Sequence, residues 1–445
     1  MTKSMTEGNP LKLIVTFTLP LLMGNIFQQM YNLIDAAIVG RTLGSSALGS
    51  VGLSSSVQFL VLGFCIGSCV GSSIPVAQKF GAKDLRGMRS MIYHGAVLTV
   101  IFSIVLTVSC ALLCSTILHI LKAPDALFSD AYSYLLVIFL GIPFTMLYNF
   151  LSGILRAVGD SRTPFYFLAL SAVLNIALDF FCILVLGWGC AGAAIATVVS
   201  QGISGLLCLI LIIKKFEILH LSKDDMEWNG KNAFAILSMG VPMGLQYSIT
   251  AVGSMMMQSA NNGLGTIAVS GFAAGMKIKQ FAMCPFDAIA SAVSTFVGQN
   301  YGAKKMDRVR KGIKQGMTLG VLYGIFIGVI LMIFGRNLSM LLVDASSTEV
   351  LDASGKYLWC LGHCYWALGI LNVSRMSVQG LGFAGRAIFS GITEMLARGI
   401  VSVIFVPIWG FDAICWTDQC AWVSACFYIF PMLLYCIKKI ENNMH

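Results

Sequence analysis

Apolar runs long enough to cross a lipid bilayer follow one another from residue 11 to residue 437, and no other feature constrains this chain more. Crossing the roughly 30 Å hydrocarbon layer takes about 20 apolar residues in a helix. Within that layer every backbone N–H and C=O needs a partner inside the protein, so the runs fold as helices. Only 11% of the residues are charged, against roughly 25% in soluble domains. The longest polar interval, KKFEILHLSKDDMEWNGK from Lys214 to Lys231, is far below the size of on the order of 50 residues that a soluble domain needs. An enzyme head or a ligand-binding ectodomain is thereby excluded, and the chemistry belongs inside the bilayer.

The spacing predicts helices over 11–40, 47–78, 90–114, 128–152, 164–187 and 190–213, then over 233–258, 266–297, 315–335, 352–376, 387–408 and 420–437. The fold class expected is an all-α polytopic membrane protein of twelve transmembrane helices. The formal charge of +9 could point to nucleic acid in a soluble chain, but its placement points to a membrane and no nucleic-acid partner is expected. Lys and Arg gather at both termini and in every second loop, whereas Arg41, Lys122 and Arg336 are the cations of the alternate loops. By the positive-inside rule both termini are cytoplasmic, in a cell membrane. Met1–Pro10 is polar and the first apolar run has no small-residue cleavage site, so helix 1 is expected to be retained.

The two halves repeat. VAQKFGAKDLRGMR from Val76 aligns with VGQNYGAKKMDRVR from Val297, an offset of 221 (297 − 76), with Val76, Gln78, Gly81, Ala82, Lys83 and Arg89 identical to their partners. Tyr134-Leu135 matches Tyr357-Leu358, and Gly159 matches Gly382, both at 223. Two six-helix lobes result, 1–213 and 233–445, joined by a linker over 214–232. Halves of even helix number enter the membrane in the same orientation and are related by a pseudo-twofold axis along its normal. Carriers that expose a central site alternately to the two sides commonly have this plan.

A carboxylate in hydrocarbon is costly and usually marks a cavity or an ion path. The first half holds two, Asp35 in helix 1 and Asp179 in helix 5, with Asn175 one turn before Asp179 and Thr197 in helix 6. At 1.5 Å per residue Asp35, Asp179 and Thr197 lie roughly 9–12 Å from the outer surface, with Asn175 a turn deeper. Oxygen ligands suit a hard cation such as Na⁺, and a pair of buried acids suits a proton carrier equally. Helix 7 lacks a matching acid and carries Gln246 and the run Met255–Met257, so coupling is expected to be asymmetric. Asp287 in helix 8 is the remaining candidate, with Lys277 and Lys279 earlier on that helix and off its face. Glu394 and Arg398, four apart, read as a structural ion pair. The cations from Lys304 to Lys314 read as a topology determinant open to anionic lipid. Most of the 14 Cys lie in apolar spans as small hydrophobes, although Cys415 and Cys420, flanking an outer loop, form a conceivable disulfide. The His residues show no metal spacing, no Walker motif is present, and no paired catalytic motif argues for an enzyme. No cofactor is expected, and the driving force is an ion gradient.

MTEGNPLKLIVTFTLPLLMGNIFQQMYNLIDAAIVGRTLG, the two Gln-x-x-Gly-Ala-Lys segments, LRAVGDSRTP from Leu155 and GWGCAGAAIAT from Gly187 together resemble the multidrug and toxic compound extrusion (MATE) family, of the multidrug/oligosaccharidyl-lipid/polysaccharide flippase superfamily. The resemblance implies a V-shaped carrier of two six-helix lobes, acting as a monomer among membrane lipids. Its implied activity is antiport: export of cationic, amphipathic organic compounds in exchange for H⁺ or Na⁺. Asp35, Asn175, Asp179 and Thr197 match the family's cation-coupling positions. Gln28 and Asn149 look like its cavity-lining positions, and Gln246, Met257 and Asp287 complete the expected substrate cavity. A flippase for lipid-linked oligosaccharide is the other reading. Its pyrophosphate cargo needs basic cavity residues, for which Lys277, Lys279 and Arg398 are the candidates.

Overall fold

The structure, a computed structural model, describes residues 3–120 and 123–443, apart from the side chains at 45 and 48. Lys122 of the charge argument lies outside the described residues. Among those described no strand forms, and helices fill most of the chain. In order they are α1 (Pro10–Thr42), α2 (Ser45–Gly81), α3 (Leu85–Ile120), α4 (Asp125–Leu140), α5 (Ile142–Ala157), α6 (Arg162–Phe180) and α7 (Gly189–Lys215). The second half holds α8 (Gly230–Asn262), α9 (Thr266–Gly302), α10 (Met306–Ser339), α11 (Thr348–Gly380), α12 (Ala384–Ile400), α13 (Val406–Trp409) and α14 (Phe411–Asn442). π-helical turns, Phe181–Val185 and Val401–Phe405, extend α6 and α12.

Among the described residues ten helices are long and apolar enough to cross a membrane, and the α4–α5 pair, bent by 45°, makes eleven. α11 is as long, at 33 residues. It carries Glu349, Asp352, Lys356, His363 and Arg375 along its length, which lowers its apolarity, and it supplies the twelfth crossing. The single helix expected over 128–152 is therefore two. Pro143, in the first turn of α5, contributes no N–H to the preceding turn, and the chain bends there. A Cβ on Gly141 would stand 2.2 Å from the Val198 side chain, so the bend packs on α7 only with glycine at its apex.

The repeat extends to backbone detail. Lys83 and Lys304, at φ 60° and 57°, are the non-glycine residues of positive φ among those described. Gly44 and Gly265 (φ 90° and 96°) share their spacing of 221, while Gly159 and Gly382 (86° and 93°) and Gly187 and Gly410 (66° and 58°) share 223. The two π-helical turns follow matching helices.

Packing divides the chain into two compact units, inside α1 and inside α8. The first holds Met23–Gly244 with the opening residues up to Ser4, and the second Met5–Leu22 with Leu245–His445. Leu13, Ile14, Phe17 and Leu21 of α1 lie in the core of the second unit. From Gly24 onward α1 rests on Phe165 and Leu168 of the first. In α8, Met239, Gly240, Met243 and Gly244 press on Gly67 and Gly71 of α2, whereas Met257 joins the second core. The linker at 214–232 lies wholly in the first unit, pinned to α3: Asn229 N–H donates to His94 Nε2 (2.8 Å), and Arg89 Nε donates to the Ile218 carbonyl (3.1 Å).

Candidate functional site

In the first unit α1, α6 and α7 bring Asp35, Asn175, Asp179 and Thr197 together. Asp179 is fully buried and Asn175 is 1% exposed, while Asp35 is half-buried. The two carboxyl groups lie close enough to interact electrostatically. Asn175 joins the α6 acid to α7. In the amide orientation that satisfies both ends, Nδ2 donates to Asp179 Oδ2 at 3.2 Å, and Oδ1 faces the hydroxyl and the backbone N–H of Thr197, each at 3.2 Å. Oδ1 of Asp35 and Oδ1 of Asp179 are buried and meet no donor in the protein. Two buried carboxyls at such range hold a proton between them or gather around a cation, and every ligand atom here is oxygen. The π-helical turn immediately after Asp179 breaks the regular ladder of α6, a distortion frequent at functional sites.

Two tyrosines escape the sequence reading. Tyr31, one turn before Asp35, and Tyr134 of α4 both lie close enough to feel the charge of Asp35 and Asp179. A signal for Tyr134 is present in the sequence, since it is half of the repeated Tyr-Leu pair. Its counterpart Tyr357 donates to an acid in the second unit, Asp418 Oδ2, at 2.9 Å.

That acid also escapes, because the last helix is expected to start at 420 and α14 starts at Phe411. Asp418 is fully buried and is the centre of a chain of ion pairs. Lys279 of α9 reaches its Oδ2 at 2.5 Å, and Arg398 of α12 its Oδ1 at 3.1 Å. Arg398 continues to Glu394 at 3.4 Å, and Glu394 is bound in turn by Arg375 of α11. The expected Glu394–Arg398 pair is thus one link of five charges on four helices, all buried except the half-buried Arg375.

The expected cavity residues are spread over both units. Gln28 and Asn149 are half-buried in the first, with Asn149 Nδ2 donating to the Thr145 carbonyl one turn back at 2.8 Å. In the second, Gln246 is 3% exposed and accepts from Gln379 Nε2 at 2.6 Å. Met257 lies in the hydrophobic core. Asp287 is exposed although it sits mid-helix, and it accepts from Asn372 Nδ2 at 3.3 Å. Cys415 and Cys420 do not face each other across a loop as expected. Both are on α14, five apart along one helix, and every cysteine is a free thiol. Among the described residues no cluster of three or more His, Cys, Asp or Glu offers a metal site.

Comparison with known proteins agrees with this architecture. The MatE family description matches residues 20–181 and again residues 242–404, one match in each repeat. A protein of Bacillus subtilis named as the probable multidrug resistance protein YpnP is 35% identical over 85% of this chain and 84% of its own length. The probable multidrug resistance protein NorM of Thermotoga maritima is 26% identical over 83% and 80%. A solved MATE structure in complex with MaL6 superposes with a TM-score of 0.93 at 22% identity, covering 99% of this chain and 100% of that one. A MOP superfamily transporter from Pyrococcus furiosus superposes at 0.92, also at 22% identity, over 98% of each chain. Two matches to the family across more than half of the chain, with twelve crossings and a doubled backbone pattern, establish this protein as a member of the MATE family of membrane transporters.

Proposed function

We propose that this protein is a secondary antiporter of the cell membrane, exporting cationic, amphipathic organic compounds in exchange for H⁺ or Na⁺, with both termini in the cytoplasm. The observation that carries the proposal is the facing of Asp35 and Asp179 in a buried oxygen site whose remaining carboxylate oxygens meet no donor. Such a pair takes up a proton or a hard cation and gives up the other. Asp35, standing on a helix whose earlier part packs in the second unit, connects ion occupancy to a chain segment shared by both units. Relatives named as multidrug proteins, among them multidrug export protein MepA of Staphylococcus aureus at 22% identity, support an organic cargo. Of the three basic residues of the flippase reading, Lys279 and Arg398 are occupied by Asp418, which leaves it Lys277, exposed on α9.

The test is uptake of a fluorescent organic cation into inside-out vesicles, under a pH gradient or a Na⁺ gradient imposed separately. One gradient is expected to drive uptake, and Asp35→Asn and Asp179→Asn are each expected to abolish it without loss of folded protein. Normal uptake by both variants overturns the assignment of the site.

A further inference from the structure

The turn between α9 and α10 carries cations for which ion exchange has no use. Lys304, Lys305, Arg308 and Arg310, together with Asp307 and with Glu441 of α14, line an open hollow of about 640 Å³ on the second unit. Lys304, Lys305 and Arg310 are exposed. A basic turn that only set topology would need charge and no fixed geometry. Here two of the cations are pinned. Lys305 Nζ donates to the Thr6 carbonyl at 3.0 Å. Arg308 donates to the carbonyls of Gly8 (2.9 Å) and Met5 (3.1 Å) and to Asn300 Oδ1 (2.9 Å). Every one of these acceptors is neutral, so both side chains are held while their charge stays uncompensated. Arg310 has an acid partner in Glu441. Glu7 and Asp307, the acids beside these cations along the chain, are exposed and enter no ion pair among the described residues.

The first unit has the same turn without this excess of charge. Lys83, the counterpart of Lys304, shares its positive φ. The next residue there is Asp84, which binds Lys79 at 2.7 Å and accepts from the Gly87 N–H at 2.9 Å. By the offset of 221, Lys305 stands for Asp84 and Arg308 for Gly87. One copy of the turn closes on its own carboxylate, and the other presents two held cations at the matching positions.

We infer that this hollow binds the phosphate headgroup of an anionic phospholipid. The lipid comes from the leaflet at the basic end of the helices, which is the cytoplasmic leaflet if the orientation proposed above holds. Charge complementarity calls for an anion, and the surface beside the hollow favours a lipid over a soluble one. Lys438 and Lys439 of α14 are exposed. One turn further into the membrane Leu434 and Tyr435 are 54% and 53% exposed, which offers an acyl chain an apolar face next to the cations. Guanidinium and ammonium groups already fixed by the backbone meet phosphate oxygens with little further loss of side-chain freedom.

The test is photocrosslinking of the full-length protein in nanodiscs that contain a trace of phosphatidylglycerol with a diazirine on its headgroup, read by peptide mass spectrometry. Label is expected on peptides covering 303–310 and 438–443, and it is expected to be competed by unlabelled phosphatidylglycerol and not by phosphatidylcholine. Lys305→Asp restores the acid of the first copy. Lys304→Asn removes an exposed charge and keeps a residue that tolerates positive φ. Each is expected to lower the label by about fivefold or more, the factor that one cation contributes near an anionic surface. Lys83→Asn, in the first unit, is expected to leave it unchanged. Label at these peptides that neither variant lowers, or that Lys83→Asn lowers equally, overturns the inference. Loss of the label to inorganic phosphate at millimolar concentration also overturns it, by assigning the hollow to a soluble anion. The side chain of Lys304 lies outside every hydrogen bond and ion pair of the described residues, so that variant decides the matter if Lys305→Asp fails to fold. The readout does not depend on which ion or cargo the protein moves.

Discussion

Asp418 is satisfied by two cations and a hydroxyl: Lys279 and Arg398 flank its two oxygens, and the Tyr357 hydroxyl completes the shell. Removing one member of a buried ion pair leaves the other without compensation, at a cost of roughly 3–5 kcal/mol. Asp418→Asn is therefore expected to lower stability by about 3 kcal/mol, read as an earlier thermal unfolding transition in nanodiscs. The double variant Asp418→Leu with Lys279→Met, which removes both charges, is expected to recover part of the loss. An unchanged transition for Asp418→Asn would show that Arg398 and Lys279 are already neutralised elsewhere. At this scale legibility depended on helix ends. The proximity of Asp35 and Asp179 was legible because an acid amid twenty apolar residues usually faces a bundle interior, and that of Asn175 and Thr197 from helical spacing and the family resemblance. Asp418 was not, because Thr417, Asp418 and Gln419 read as the polar end of a loop until tertiary contacts bury all three. Arg375 was missed for a related reason, as its partner Glu394 is 19 positions away on another helix and periodicity says nothing about contacts between helices.

Between elements, glycine decides how closely helices approach. In α10, Gly320, Gly324 and Gly328 recur every fourth residue, and a Cβ on each would meet the backbone of α11 at 3.1, 2.6 and 2.5 Å, at Gly369, Trp366 and Gly362. In lipid, where apolar contact alone drives little association, such small-residue faces hold helices by close packing. Gly328→Leu is expected to destabilise the second unit by about 1–3 kcal/mol and to lower its unfolding temperature. Gly52→Ala, with nothing within 4 Å of the added methyl, is the neutral control. The linker is held differently. Asp225 accepts from the Ser222 backbone N–H (2.9 Å) and hydroxyl (2.7 Å). These two bonds, helped by Arg89 and Arg86, hold its carboxyl below the usual carboxylate range. A carboxyl lowered in the folded state stabilises fully above its unfolded value, about 3.9, and that contribution is lost as pH falls through the folded one. Amide exchange over 217–229, corrected for its intrinsic pH dependence, is accordingly expected to lose protection below about pH 4, and Asp225→Asn to lose it at neutral pH. Protection unchanged by either treatment would assign the linker's order to His94 and Arg89 alone.

Over the whole molecule the two halves share a backbone pattern and differ in the charges they bury. Gly159, Gly187 and their counterparts Gly382 and Gly410 bracket α6 and α12 at a constant offset of 223. By the same offset Asn175 corresponds to Arg398 and Asp179 to Ser402. α1 and α8, both of 33 residues and offset by 220, set Asp35 against Met255. The doubled fold was legible from the repeated Gln-x-x-Gly-Ala-Lys turn, since both copies impose the same positive φ at lysine. The bend at Gly141 was not, because its cause, contact with Val198, is remote in sequence. If the acids of the first unit bind the coupling ion, Asp287, an exposed carboxylate in the middle of α9, is left for the cargo. Asp287 has no acidic counterpart in the first half, where the offset of 221 gives Ile66, and Asn372 holds its carboxylate. Asp287→Asn is therefore expected to raise the half-saturating concentration of an organic cation roughly tenfold, the equivalent of about 1.4 kcal/mol, and to leave the number of ions exchanged per cation unchanged. Asp35→Asn is expected to do the opposite, abolishing ion flux while equilibrium binding of the cation to protein in nanodiscs persists. Flux of both species measured in the same proteoliposomes separates the two. A change in the exchange ratio on Asp287→Asn would make that carboxylate a second ion site, and the division of labour between the halves would fall with it.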